Sequence, residues 1–271
     1  MVETRAVSEH PHPPSARPSR LLSLAAVALV CACASGCRRP GEAQLRAGNS
    51  AAQAGRLEDA KKAFEAAAQA LPDDARPREL LGNVLYQLGQ AADARAAWQA
   101  ALERDAASAP AHLGLARLAL DARDAGAALD EIARAGAAPD PEREAVKALA
   151  LLARGSPPDA DAALAAADAA LAQAELPHAL YARGGALLVQ GRFSDAQATF
   201  EQLQSKFPRS PLGAYGLARL AAAQGRATDA LLHLQAAKTT AGSAWRADRV
   251  ADDPAFAFLS TSEGFLALVR K

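Results

Sequence analysis

The segment Gly55-Arg56-Leu57-Glu58-Asp59-Ala60 returns three times, as Gly89-Gln90-Ala91-Ala92-Asp93-Ala94, Gly191-Arg192-Phe193-Ser194-Asp195-Ala196 and Gly225-Arg226-Ala227-Thr228-Asp229-Ala230. Its closing alanines are spaced by 34 residues or by a multiple of 34. A fixed period of this size belongs to one helical hairpin that has been copied and stacked, since each copy buries its apolar face only against its neighbours. The spacing therefore predicts an all-α chain whose surface, rather than an enclosed pocket, does the work.

Continuing the ladder places signature alanines at Ala128 and Ala162 as well. An aspartate precedes the alanine at Asp59, Asp93, Asp161, Asp195 and Asp229, with Ala127 the exception. Four residues after the alanine stand Phe64, Trp98, Ile132, Ala166, Phe200 and Leu234. Each type suits a role in a hairpin. The glycines follow helical stretches and tolerate the left-handed conformation that ends a helix. The alanine lets neighbouring helices approach, and the residue one turn later fills the space between them. Leu71-Pro72-Asp73-Asp74 and Phe207-Pro208-Arg209-Ser210 mark joints between copies, because proline cannot continue a helix. In the fourth copy the turn Gly155-Ser156-Pro157-Pro158-Asp159 sits about two residues ahead of the period.

Ahead of the turns, Leu81-Gly82 with Leu85, Leu180 with Gly184 and Leu187, Leu217-Ala218 with Ala221, Leu115-Ala116 and Ala47-Gly48 follow one pattern. With these residues the chain resembles the tetratricopeptide repeat family. The resemblance implies a right-handed superhelical solenoid of about six hairpins over residues 44–240. The repeats fall near 41–74, 75–108, 109–142, 143–176, 177–210 and 211–240, with a helical cap over 241–271. It also implies that the first helix of each repeat lines a concave groove through positions 2, 5, 9 and 12. That register puts Asn49, Asn83, Arg117 and Arg219 at position 9, Tyr86 at position 12, and Tyr181 and Tyr215 at position 5. All three tyrosines of the chain fall on this stripe. An asparagine amide pairs with a peptide backbone, and a tyrosine offers an apolar face with a polar tip, so the expected ligand is a protein or peptide segment. Pro110 and Gly114 stand where the chaperone-tail version of the family needs basic residues.

The N-terminus reads as an address. Residues 1–20 are polar and basic, and an apolar run from Leu21 leads to Ala34-Ser35-Gly36-Cys37. The run is shorter than a bilayer span and suits a secretory leader. Its end looks like a bacterial lipobox, which implies cleavage after residue 36 and lipid on Cys37, with residues 37–43 as a short tether. Val30-Cys31-Ala32-Cys33 is a poorer competing site. All three cysteines lie in this window, so no disulfide is expected in the repeats. Arg38 is not the aspartate that retains many enterobacterial lipoproteins in the inner membrane, so the expectation is an outer-membrane protein facing the periplasm.

Thirty basic residues balance thirty acidic ones, which leaves no positive excess to hold phosphates and argues against nucleic acid. His112, His178 and His233 are far apart in sequence, and no nucleophile elbow, phosphate loop or zinc motif occurs, so no catalysis, metal, cofactor or small-molecule substrate is expected. At the C-terminus, Phe256, Phe258 and Phe265 are three of seven phenylalanines, and Ser260 with Glu263 predicts a capping box before a helix over residues 264–270. The expected role is a lipid-anchored, non-enzymatic scaffold for protein–protein interaction in the cell envelope. It would serve secretin, pilus or secretion-complex assembly, or alternatively act as an adaptor for β-barrel assembly or for peptidoglycan enzymes.

Overall fold

The structure, a computed structural model, describes residues 40–270; the leader and Cys37 lie outside them. Six antiparallel hairpins follow one another: α1 Pro40–Gln53 with α2 Leu57–Ala70, α3 Arg76–Gln87 with α4 Ala91–Leu102, α5 Ala109–Asp121 with α6 Ala125–Arg134, α7 Pro141–Arg154 with α8 Pro157–Leu171, α9 Pro177–Val189 with α10 Phe193–Lys206, and α11 Leu212–Ala223 with α12 Ala227–Ala241. A tail completes the chain, with 3-10 turns at Gly242–Ala244 and Pro254–Leu259, a short α13 at Ala247–Ala251 and α14 at Glu263–Val269. Each helix of the hairpins packs on the next, and α3–α5, α5–α7, α7–α9 and α9–α11 also touch, so the first helices from α3 to α11 form a continuous inner layer. This is the expected solenoid. The first helix starts at Pro40, within the stretch expected to be tether. Among the described residues no helix is long and apolar enough to cross a membrane.

The signature glycines end the first helices by one mechanism. Gly55, Gly89, Gly191 and Gly225 take φ of 73°, 76°, 72° and 71°. The next residue's N–H reaches back five residues, as in Arg56 N to Ala51 O (2.9 Å) and Arg226 N to Ala221 O (2.9 Å). These bonds satisfy carbonyls that the helix end would leave bare. Repeat three keeps the same bonds, Asp124 N to Ala119 O and Arg123 N to Leu120 O, although Arg123 takes the left-handed place at φ 62°. It is the one non-glycine residue with positive φ among those described.

The aspartates sit at the third position of the second helices, where a negative charge meets the helix's positive end. In repeat three, where Ala127 breaks the pattern, Asp124 has moved to the N-cap and accepts from the Ala127 N–H (2.9 Å).

Repeat four corrects the assumed register. Ala162 and Asp161 are exposed, whereas Ala160 is 4% exposed and follows Asp159. The pair in this copy is therefore Asp159-Ala160, the spacing Gly155-x₄-Ala160 is intact, and the larger residue one turn on is Leu164, not Ala166. The two-residue slip comes from α6, only ten residues long, which ends at Gly136 with φ 89°. The buried Arg143 guanidinium fixes that turn by donating to the Gly136 carbonyl (2.6 Å). The fifteen-residue α8 restores the phase.

The bulky residues lie under the first helices. Trp98 is fully buried between Gly82 and Gly114, and Phe200 between Gly184 and Gly216, each pair drawn from successive first helices. A Cβ on Gly82 would stand 2.5 Å from Trp98 Nε1, and one on Gly216 2.7 Å from Phe200 Cγ. Two outcomes follow for thermal unfolding. Gly216→Ala should lower stability by about 1–3 kcal/mol through overpacking. Arg123→Gly should raise it by about 1 kcal/mol by removing left-handed strain. Its only loss is the 3.9 Å contact to Asp252, between side chains 58% and 70% exposed, which contributes little. An unchanged or lowered midpoint for Arg123→Gly would contradict the strain assignment.

Candidate partner-binding channel

The inner layer gathers the stripe residues, but not into one uniform groove. Asn49 on α1 is exposed and Asn83 on α3 is half-buried, and neither amide has a hydrogen-bond partner among the described residues. Arg117 on α5 is half-buried and donates to Glu142 Oε2 (2.7 Å), which also contacts His178 Nε2 at 2.8 Å. Three repeats thus meet at one carboxylate. Stacking explains this: residues about one period apart become neighbours, so a histidine with no carboxylate near it in sequence has one beside it in the fold. His112 likewise contacts Glu131 Oε2 through Nδ1 (2.7 Å).

Tyr181 on α9 and Tyr215 on α11 stack along the layer with ring centres 6.3 Å apart, and Tyr181 also packs on Phe200. Arg219 on α11 donates to the Tyr181 hydroxyl (3.2 Å). The fourth member, Asp253, comes from the tail. Its Oδ2 accepts from the Tyr215 hydroxyl at 2.6 Å and lies 3.6 Å from Arg219 Nε, while Oδ1 accepts from the Ala255 N–H and caps the 3-10 turn. Burial first, with Tyr181 and Asp253 adding to it, pushes the Tyr215 hydroxyl far above its ordinary value. Tyr215 stays a neutral donor.

The tail does two things. It closes the open end of repeat six, where Val250, Phe256, Leu259, Phe265 and Leu268 join Ala218, Ala221, Ala230 and Leu234 in one buried cluster, with Trp245 packed against it. Phe258 remains 51% exposed. Ser262, rather than Ser260, caps α14 by accepting from the Phe265 N–H (3.3 Å), so the helix begins at Glu263. Ahead of this cap, residues 244–253 cross the channel to repeats two and three. Arg249 on α13 pairs with Asp121 at the end of α5 (2.5 Å), beside Tyr86 on α3. Burial and then the Asp121 charge push the Tyr86 hydroxyl up to about 12. The crossing leaves a cavity on each side, both lined by Ala244, Arg246 and Arg249. The one toward Tyr181, Tyr215 and Trp245 holds about 290 Å³, and the one toward Tyr86 and Asp121 about 380 Å³.

Asp253, Arg249 and Asp121 escape the sequence reading because their partners are remote in sequence. Among the described residues no group of three metal-ligating side chains occurs. The channel offers hydrogen-bonding amides, tyrosines and paired charges, which is recognition chemistry.

The Glu142 junction is open to titration. The hydrogen bond from His178, followed by the contribution of Arg117, holds the Glu142 carboxyl below its ordinary 4.5 despite burial. A carboxylate lowered in this way contributes its full stability above pH 4.5 and loses it as the pH falls through the lowered value. Glu142→Gln should therefore cost stability near neutral pH and flatten the decline of the melting midpoint between about pH 5 and pH 3. Parallel pH profiles for the two proteins would rule this out.

The comparisons with known proteins agree with this architecture. The sequence profile of the family described as Tetratricopeptide repeat matches residues 45–90, 79–142 and 181–244. No curated protein matches the chain in sequence. Among solved structures, that of the APC/C hetero-tetramer Cut9-Hcn1 aligns at a TM-score of 0.65 and 13% identity over 93% of this chain. The chain spans 46% of that protein, under half its length. PilF of Pseudomonas aeruginosa aligns at 0.54 and 17% identity over 74% of this chain and 91% of its own. PilW, titled a widely conserved type IV pilus biogenesis factor, aligns at 0.51 and 18% over 72% and 90%. At such identities the likeness concerns the fold. Profile, period and stacked hairpins together place this chain in the tetratricopeptide repeat family, whose members serve as scaffolds for protein–protein interaction.

Proposed function

We propose that the protein is a non-enzymatic, lipid-anchored scaffold of the bacterial cell envelope, which holds a protein partner along its inner layer. The observation that carries the binding role is the stripe of half-exposed and exposed side chains on first helices, with the Asn49 and Asn83 amides unpaired among the described residues. Unpaired amides on a rigid surface are ready to receive a peptide backbone. Asn49 in repeat one is exposed, and Asn83 in repeat two is half-buried, one turn before Tyr86, where the tail crosses.

The anchor rests on the sequence of the leader and on Cys37, followed by the short segment before α1. A tether of a few residues keeps the solenoid close to the membrane surface. The outer membrane, facing the periplasm, is the proposed location. The fold shared with PilW supports a place in pilus or secretin assembly. Service to β-barrel assembly or to peptidoglycan enzymes is the second reading, through the same inner layer or through the convex face.

Two measurements test this. Cys37→Ser should move the protein from the membrane fraction to the soluble fraction; unchanged fractionation would remove the anchor. Asn49→Ala with Asn83→Ala should reduce crosslinked partner recovered from native envelopes about tenfold, the loss expected when two bidentate amide contacts disappear, with an unchanged melting midpoint. Undiminished recovery would place the partner elsewhere. Tyr215 is a poor choice for this purpose, because it packs against the buried cap cluster.

A further inference from the structure

We infer that the channel carries its own ligand: the tail segment from Trp245 to Asp253 occupies the site that an acidic partner segment takes, and such a partner displaces it. The inference rests on the partner-binding role proposed above and specifies its chemistry.

The receptor is formed by Tyr181, Tyr215 and Arg219. It presents one phenolic donor and one guanidinium toward a single carboxylate, and Asp253 of the tail fills it. Arg219 Nε is buried without a hydrogen bond, and at 3.6 Å from Asp253 it is aimed at this carboxylate without closing on it. The contact is thus incomplete, because Asp253 is also committed to the Ala255 N–H. A carboxylate free of that second duty approaches the guanidinium more closely and forms a charge-assisted bond. One turn before Asp253, Val250 is 3% exposed and supplies the apolar half of the contact. The resident motif is therefore an apolar residue followed three positions later by an acid.

Toward repeats two and three the crossing is held, among the described residues, by ion pairs alone. Its ties to repeats two and three are Arg249 to Asp121, between side chains 40% and 22% exposed, and Asp252 to Arg123, both largely exposed. Ion pairs with this exposure contribute little and are screened by salt. Lifting residues 245–253 withdraws Val250 from the cluster it shares with Phe256, Leu259, Phe265 and Leu268 and breaks the Trp245 Nε1–H bond to the Leu268 carbonyl (3.0 Å), while those four side chains stay against Ala218, Ala221, Ala230 and Leu234 of repeat six. The cavities of about 290 and 380 Å³ on either side show that the segment partitions a wider channel without filling it.

A fluorescein-labelled peptide of residues 246–258, which carries Val250, Asp253 and Phe256, is the probe, with full-length protein as receptor. The loosened receptor is Asp253→Asn with Arg249→Gln; asparagine keeps the acceptor for the Ala255 N–H. Fluorescence anisotropy should show the loosened receptor binding at least about tenfold more tightly than the wild type, the ratio expected from removing an internal competitor that fills the site most of the time. Adding Arg219→Gln to that receptor, or Asp253→Asn to the peptide, should abolish the gain. In the wild-type protein, excess peptide should speed amide hydrogen exchange over residues 245–253 and leave residues 263–269 unchanged. Equal affinity for both receptors, equal binding of the asparagine peptide, or unaltered exchange in the tail overturns the inference. Those results with envelope-partner recovery still sensitive to Asn49→Ala and Asn83→Ala remove the internal ligand alone. Recovery insensitive to those substitutions removes the groove reading itself.

Discussion

The close approach of successive first helices over one large side chain is the contact on which the solenoid depends. Trp98 lies between Gly82 and Gly114, and Phe200 between Gly184 and Gly216, so one ring fixes the spacing inside a repeat and to the next repeat together. A glycine on each side leaves room for the ring, and the ring fills the volume that a pair of alanine-rich helices cannot fill by itself. The chain is only 4% aromatic, and Phe64, Trp98 and Phe200 take these junctions. Repeat three, with Ile132 at this place, has the ten-residue α6.

That local irregularity shows how the period tolerates error. Each repeat contacts only its neighbours, so a two-residue deficit in α6 is absorbed within the next hairpin and leaves repeats five and six in register. The same nearest-neighbour logic accounts for the polar junction of Arg117, Glu142 and His178. Side chains from three consecutive repeats meet there because their first helices lie side by side in the stack. In a globular protein such residues would read as unrelated.

The tail changes the meaning of the inner layer. Its apolar part covers the open end of repeat six, as any solenoid terminus requires. Its polar part turns back across the channel, so that Tyr86, Tyr181, Tyr215 and Arg219 face the chain's own residues while Asn49 and Asn83 face solvent. The two ends of the channel thus differ in availability. The amide end is open, and the tyrosine end is occupied.

The 34-residue period determined the all-α stack of helical hairpins, because helical stacking is a local, repeated solution that every copy spells out. The roles of Gly55, Asp59 and Ala60 were legible for the same reason. The slip in repeat four was half legible: the early Gly155 was visible, but Asp159-Ala160 could be told from Asp161-Ala162 only by burial, since in an alanine-rich helix several registers look alike. What tertiary structure alone decided was the meeting of Asp253 with Tyr215 and Arg219, and of Arg249 with Asp121. The first meeting arises where the tail folds back on repeat six, and the second from the sum of the small rotations between repeats, which brings the tail across to the end of α5. No residue pattern in a single repeat records that sum.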